Sequence, residues 1–168
     1  MTRFDADKNG HISREDFELM AKKLAEYGKM SKEQAESARE AFVKVADEFG
    51  LKPGVKIPLE EAALKASKLL LARTPEQQKT DLYPTHNKLF DVLDTNKDDY
   101  ISKEEFKVYF QVIGPEISQA EVSRSFNTID SNGDGKISRE EFLAAAHDFV
   151  HGLEETEVSN TFFGHLLP

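Results

Sequence analysis

The sequence predicts an all-α fold, four helix–loop–helix units taken in two pairs and forming one compact globule. Three observations predict it. Residues 5–16, 94–105 and 130–141 read DADKNGHISRED, DTNKDDYISKEE and DSNGDGKISREE and superimpose without a gap. Apolar residues recur at helical spacing beside each repeat. A fourth stretch, VADEFGLKPGVKIPLEEAA at 45–63, keeps the apolar frame of the others and lacks their acids. The 168 residues are 39% hydrophobic and include twelve Phe, enough for one compact domain or two small halves sharing a core.

Each repeat has Asp at position 1, Asp or Asn at 3 and 5, Ile at 8, Ser at 9 and an acid at 12, the spacing of an EF-hand loop. Calcium is a hard cation that takes six to eight oxygens, and a tight 12-residue loop turns alternate residues inward. Position 7 offers its carbonyl, and the acid at 12, in the first turn of the next helix, reaches back. The candidate ligands are therefore Asp5, Asp7, Asn9, His11 (carbonyl) and Asp16; Asp94, Asn96, Asp98, Tyr100 (carbonyl) and Glu105; and Asp130, Asn132, Asp134, Lys136 (carbonyl) and Glu141. Position 6 needs a positive φ, which Gly10 and Gly135 adopt freely and Asp99 adopts at a cost of roughly 1 kcal/mol. The isoleucines at position 8 are expected to join paired loops through a short two-stranded bridge. Calcium is the expected ion at three sites. Asp16 is one methylene shorter than Glu, so the first loop should be the weakest and the one where magnesium competes, and the fourth the tightest.

The flanks follow in order. Met1 and Phe4 alone hold the −4 and −1 places ahead of the first loop, so the first unit lacks most of its entering helix; the short start reads either as a truncation or as an open flank. Phe17, Met20 and Leu24 line the helix behind it. Aligning Ile57 with the other position-8 isoleucines puts Gly50, Lys52 and Gly54 at ligand positions 1, 3 and 5, where none supplies a side-chain oxygen. The second loop, about 50–61, is thus empty, yet Phe49 and Ile57 keep their structural places and Glu60 and Glu61 suit a helix N-terminus. Phe90 and Leu93, then Phe126 and Ile129, precede the third and fourth loops; Phe106, Tyr109, Phe110 and Ile113, then Phe142, Ala145, Ala146 and Phe149, follow them. Residues 1–72 read as one pair, 85–168 as the other, and TPEQQKTDLYP at 74–84 as their connection. In the tail, 152–168, Phe162, Phe163, Leu166 and Leu167 form an apolar cluster that needs burial.

Composition narrows the function. A net charge of −9 repels nucleic-acid backbones and anionic membrane surfaces. With no Cys there is no disulfide framework or thiolate chemistry. No run is long enough to span a membrane, so a soluble, cytoplasmic monomer is expected. His11, His86, His147, His151 and His165 show no metal-ligand or triad spacing, and no catalytic group is identified.

The loop order, filled, empty, filled, filled, is similar to that of the coelenterazine (luciferin)-binding proteins and calcium-regulated photoproteins of bioluminescent cnidarians, within the sarcoplasmic calcium-binding protein group. ISREDFEL, VADEFGLKPGVKIPLEEAA, SFNTID and GLEETEVSNTFFG look especially like the coelenterazine-binding branch. Photoproteins hold a peroxidised substrate with His, Trp and Tyr, and this chain has no Trp. The resemblance implies a four-EF-hand shell around an apolar cavity that holds a coelenterazine-type luciferin, releases it when calcium binds, and hands it to a luciferase. It also implies that the apolar tail lids that cavity, where the residues by themselves would equally suit a patch over a gap between the two halves. Calcium in three loops would take the net charge from −9 to −3 and reorient the helices bearing Phe17, Phe106, Phe110, Phe142 and Phe149. The alternatives are a cytosolic calcium buffer of the sarcoplasmic type without a small-molecule ligand and a sensor for target helices; three Met are few for the adaptable surface of such a sensor.

Overall fold

A computed structural model describes residues 4–71, 74, 84 and 86–151, with the side chains of 63, 66, 67, 69–71 and 149–151 excepted. The expectations for Met1, for the rings of Phe149 and His151, for most of 74–84 and for the tail 152–168 lie outside the described residues. Contacts divide the chain into two units, Met1–Thr85 and His86–Pro168.

The first unit runs β1 (His11–Ser13), α1 (Arg14–Tyr27), α2 (Lys32–Glu48), β2 (Lys56–Pro58) and α3 (Leu59–Leu71). Helix α1 buries Phe17, Met20, Ala21 and Leu24. Its partner α2 buries Ala38, Ala41, Phe42 and Ala46, and the small alanines let the two backbones approach closely. Phe4 stacks on Phe17 with ring centroids 5.8 Å apart. Strands β1 and β2 pair antiparallel with Ile12 opposite Ile57, so the position-8 bridge forms although the second loop has no acid at positions 1, 3 and 5.

The second loop is built differently from the others. Gly50, at φ +71°, is the left-handed residue just past α2: its N–H bonds the Asp47 carbonyl at 2.9 Å, and the Leu51 N–H bonds the Ala46 carbonyl at 2.9 Å. This is a Schellman helix stop, and Leu51, 2% exposed, supplies the apolar contact that accompanies one. The Val55 N–H then bonds the Lys52 carbonyl at 2.9 Å across Pro53 and Gly54, with Gly54 at φ +80°, the Pro–Gly pattern of a type II turn. A helix cap and a tight turn thus replace the metal-binding curl and deliver the chain to β2.

The second unit runs α4 (86–93), β3 (Tyr100–Ile101), α5 (Lys103–Ile113), α6 (Gln119–Ile129), β4 (Ile137–Ser138) and α7 (Arg139–His151). Its core is aromatic: Phe90, Phe106, Phe110, Phe126 and Phe142 are all fully buried. Phe106 lies 4.9 Å from Phe110 and meets Phe126 edge-on at 5.5 Å, and Phe90 meets Phe142 edge-on at 5.8 Å. Such edge contacts suit the ring quadrupoles and fix the angles at which the helices leave the loops. Complete burial pushes the Tyr109 hydroxyl far above its usual titration range. Strands β3 and β4 pair with Ile101 opposite Ile137, both fully buried. Among the described residues, no helix is long and apolar enough to cross a membrane.

Candidate metal centres

Each acid-bearing loop is folded around its position-1 carboxylate. Asp5 accepts hydrogen bonds from the N–H groups of Asn9 at 2.9 Å and Gly10 at 2.8 Å. Asp94 accepts from Asp98 at 3.1 Å and Asp99 at 3.0 Å. Asp130 accepts from Gly133 at 2.9 Å, Asp134 at 3.1 Å and Gly135 at 2.9 Å. All three are buried, which for an acid requires this kind of partnership. The turn depends on positive φ at two positions. Position 6 holds Gly10, Asp99 and Gly135 at +83°, +64° and +86°. Position 4 holds Lys8, Lys97 and Gly133 at +59°, +63° and +73°, a requirement not read from the sequence.

The side chains at 3 and 5 close alternate turns. Asp7, Asn96 and Asn132 accept from the position-5 N–H at 3.1, 2.9 and 2.8 Å. Asn9, Asp98 and Asp134 accept from the position-7 N–H of His11, Tyr100 and Lys136 at 2.9, 3.0 and 3.1 Å. These N–H bonds hold the side-chain oxygens beside the curled backbone, and each such oxygen keeps a second lone pair for a cation.

The acid at position 12 is held from both sides. One Glu105 oxygen accepts from the Ser102 N–H at 2.9 Å and the Ser102 hydroxyl at 2.8 Å; the other accepts from the Thr95 N–H at 2.9 Å and hydroxyl at 2.7 Å. Glu141 is held likewise by Ser138, at 2.9 and 2.8 Å, and by the Ser131 hydroxyl at 3.1 Å. In the first loop, Asp16 accepts from Ser13 N–H at 2.8 Å and hydroxyl at 2.7 Å, and from the N–H of Ala6 at 3.0 Å. Burial raises the Glu105 and Glu141 carboxyls, but these hydrogen bonds outweigh it and hold both below the usual range. The same Ser–acid pair caps the following helix, a Ser-x-x-Glu signature visible in the sequence whose role in the site was missed. Donor atoms of Asp5, Asp7 and Asp16 lie within 4.8 Å of one another, so the first loop gathers three carboxylates despite its shorter acid.

The donors are all oxygens, with no thiolate and no imidazole nitrogen required, which fits calcium or magnesium and not a soft transition metal. The second loop offers no comparable set. Gly50 and Gly54 have no side-chain donor, and Lys52 is an exposed cation.

Comparison with known proteins agrees with this architecture. The family model for an EF-hand domain pair matches residues 85–146, and one for a single EF hand matches residues 2–21. The luciferin-binding protein of Renilla reniformis is 45% identical over 167 residues, covering 99% of this chain and 90% of that protein. The chain belongs to the luciferin-binding protein family. A solved structure from this family, the coelenterazine-binding protein of Renilla muelleri in its calcium-loaded apo form, superimposes with a TM-score of 0.83 at 44% identity, over 98% of this chain and 91% of that one. The family sits within a wider EF-hand group: the sarcoplasmic calcium-binding protein of Hediste diversicolor is 32% identical over 72% of this chain and 69% of its own. Calcium-loaded apo-aequorin from Aequorea victoria, at 20% identity and a TM-score of 0.75, shares the fold.

Proposed function

We propose that this member of the luciferin-binding family binds up to three calcium ions, carries a coelenterazine-type luciferin in its ion-free state and releases it to a luciferase when calcium binds. The observation that carries the reading is the end-to-end likeness to a luciferin-binding protein combined with three oxygen-lined loops and one with no side-chain oxygen at positions 1, 3 and 5. The ligands would be Asp5, Asp7, Asn9, the His11 carbonyl and Asp16; Asp94, Asn96, Asp98, the Tyr100 carbonyl and Glu105; and Asp130, Asn132, Asp134, the Lys136 carbonyl and Glu141. Calcium supplies the divalent charge that these oxygens share. The chain contributes the rest: it orients the acids beforehand and ties each position-12 acid to the first turn of a helix that bears buried aromatic rings. Magnesium competes at the first loop.

The test is direct. Ion-free protein is incubated with coelenterazine, freed of excess by gel filtration, and titrated with calcium while the chromophore is followed by absorbance. Retention without calcium and release with it, at no more than three ions per chain by calorimetry, is the expected result. Calcium binding without chromophore retention would instead support a calcium buffer of the sarcoplasmic type, the reading that the Hediste likeness favours.

A further inference from the structure

Position 10 of each acid-bearing loop, where the outgoing helix begins, is basic: Arg14, Lys103 and Arg139. Arg139 does far more than cap its helix. One guanidinium nitrogen donates to Asp91 at 2.7 Å and to Asp99 at 3.3 Å, and the other donates to the Asn87 side-chain oxygen at 3.3 Å. The same group lies over the Phe90 ring, its Cζ 4.2 Å from the centroid. Asn87, Phe90 and Asp91 belong to α4, which leads into the third loop, and Asp99 is the left-handed position 6 of that loop. Unit 1 repeats half of the device, since Arg14 bridges to Asp47, three residues ahead of Gly50 as Asp91 is three ahead of Asp94.

We propose that Arg139 is a positioning residue that couples metal binding at the fourth loop to metal binding at the third, an inference resting on the reading that both loops bind calcium. Arg139 stands two residues before Glu141 on the first turn of α7, so any adjustment of that turn as Glu141 takes its place moves the guanidinium too. The fork grips the last turn of α4 and the sharpest turn of the third loop together. Lysine, a point charge on a flexible stem, does not hold two carboxylates and a ring in fixed geometry. The arm to Asp99 also accounts for an acid at a position where glycine would be unstrained. By linkage, the coupling runs equally in both directions.

The full chain tests this with terbium, a calcium-like ion excited through a nearby tyrosine. Tyr100 lies inside the third loop and pairs with Ser138 of the fourth, so the part of the emission lost in Tyr100→Phe reports this pair of loops, and with the fourth disabled by Glu141→Gln it reports the third. Glu141→Gln, which disables the fourth loop, should weaken terbium binding at the third by about fivefold or more in the otherwise unaltered protein. In an Arg139→Gln background, and separately in an Asp99→Asn background, the same change should weaken it by less than about twofold. The Asp99 side chain is 83% exposed, so its variant keeps the fold even if Arg139→Gln does not. A Glu141→Gln effect that is absent from the unaltered chain, or undiminished in either background, assigns any coupling to the Ile101–Ile137 bridge and overturns the proposal. A merely structural Arg139 would lower the melting temperature and weaken both loops while leaving that factor intact, which overturns it equally. Failure of the unaltered chain to bind calcium or terbium would instead refute the metal-binding function itself.

Discussion

Position 12 shows what one methylene decides. Asp16 is 1% exposed and already drawn onto Ser13 and Ala6, so its loop is compact around a small volume. Such a site suits magnesium, which demands short distances and fewer ligands. Magnesium at millimolar concentration should therefore shift the calcium isotherm of the first loop and leave the fourth within a few-fold, as checked by calorimetry on Glu141→Gln and Asp16→Asn variants. The two glutamates make a second prediction. Their folded pKa values are depressed, so the stability they contribute to the ion-free chain is present above the unfolded carboxylate value of about 4.3 and is lost as pH falls through the lower folded values. Melting temperatures of ion-free protein should fall over that acid window, and Glu105→Gln with Glu141→Gln should flatten the dependence.

At the scale of the element, the position-8 bridge and the second loop carry separate duties. Ile57 is buried opposite Ile12, so Ile57→Ala should cost about 2–5 kcal/mol of stability and weaken calcium at the first loop, although Ile57 touches no ion. Chemical denaturation and calorimetry check both halves. Gly50 and Gly54 carry left-handed φ at aligned positions 1 and 5, whereas the metal-binding curl needs it at 4 and 6. A triple variant Gly50→Asp, Lys52→Asp, Gly54→Asp should therefore gain no fourth ion by calorimetry and lose of order 1 kcal/mol per glycine. The loop frame, the position-8 pairing and the helix stripes could be read from spacing, because oxygen count and helical period leave direct marks in the residues. The Schellman stop at Gly50 was equally written, as Gly-Leu-Lys-Pro-Gly, but aligning it to a calcium frame hid its own grammar. The reach of Arg139 to Asp91 and Asp99 was not legible, since position 10 and position −3 meet only once two hands are folded together.

At the scale of the whole molecule, charge divides unevenly. Residues 1–85 hold 15 Lys and Arg against 15 Asp and Glu, whereas residues 86–168 hold 7 against 16, so the entire net charge of −9 belongs to the second unit. Two ions there would bring that unit to −5, and one ion would leave the first at +2. Saturation should stop at three calcium ions, with native electrophoretic mobility falling in step with the loss of six negative charges. The helix stop that occupies the second loop has a consequence for how the chain responds to a rising ion concentration. A unit with one site fills gradually across a broad span, whatever its affinity, because it has no second site to recruit. A unit with two strapped sites fills across a narrow one. On the proposed site count and coupling, the molecule would sample the same ion as a level through its first half and as a threshold through its second.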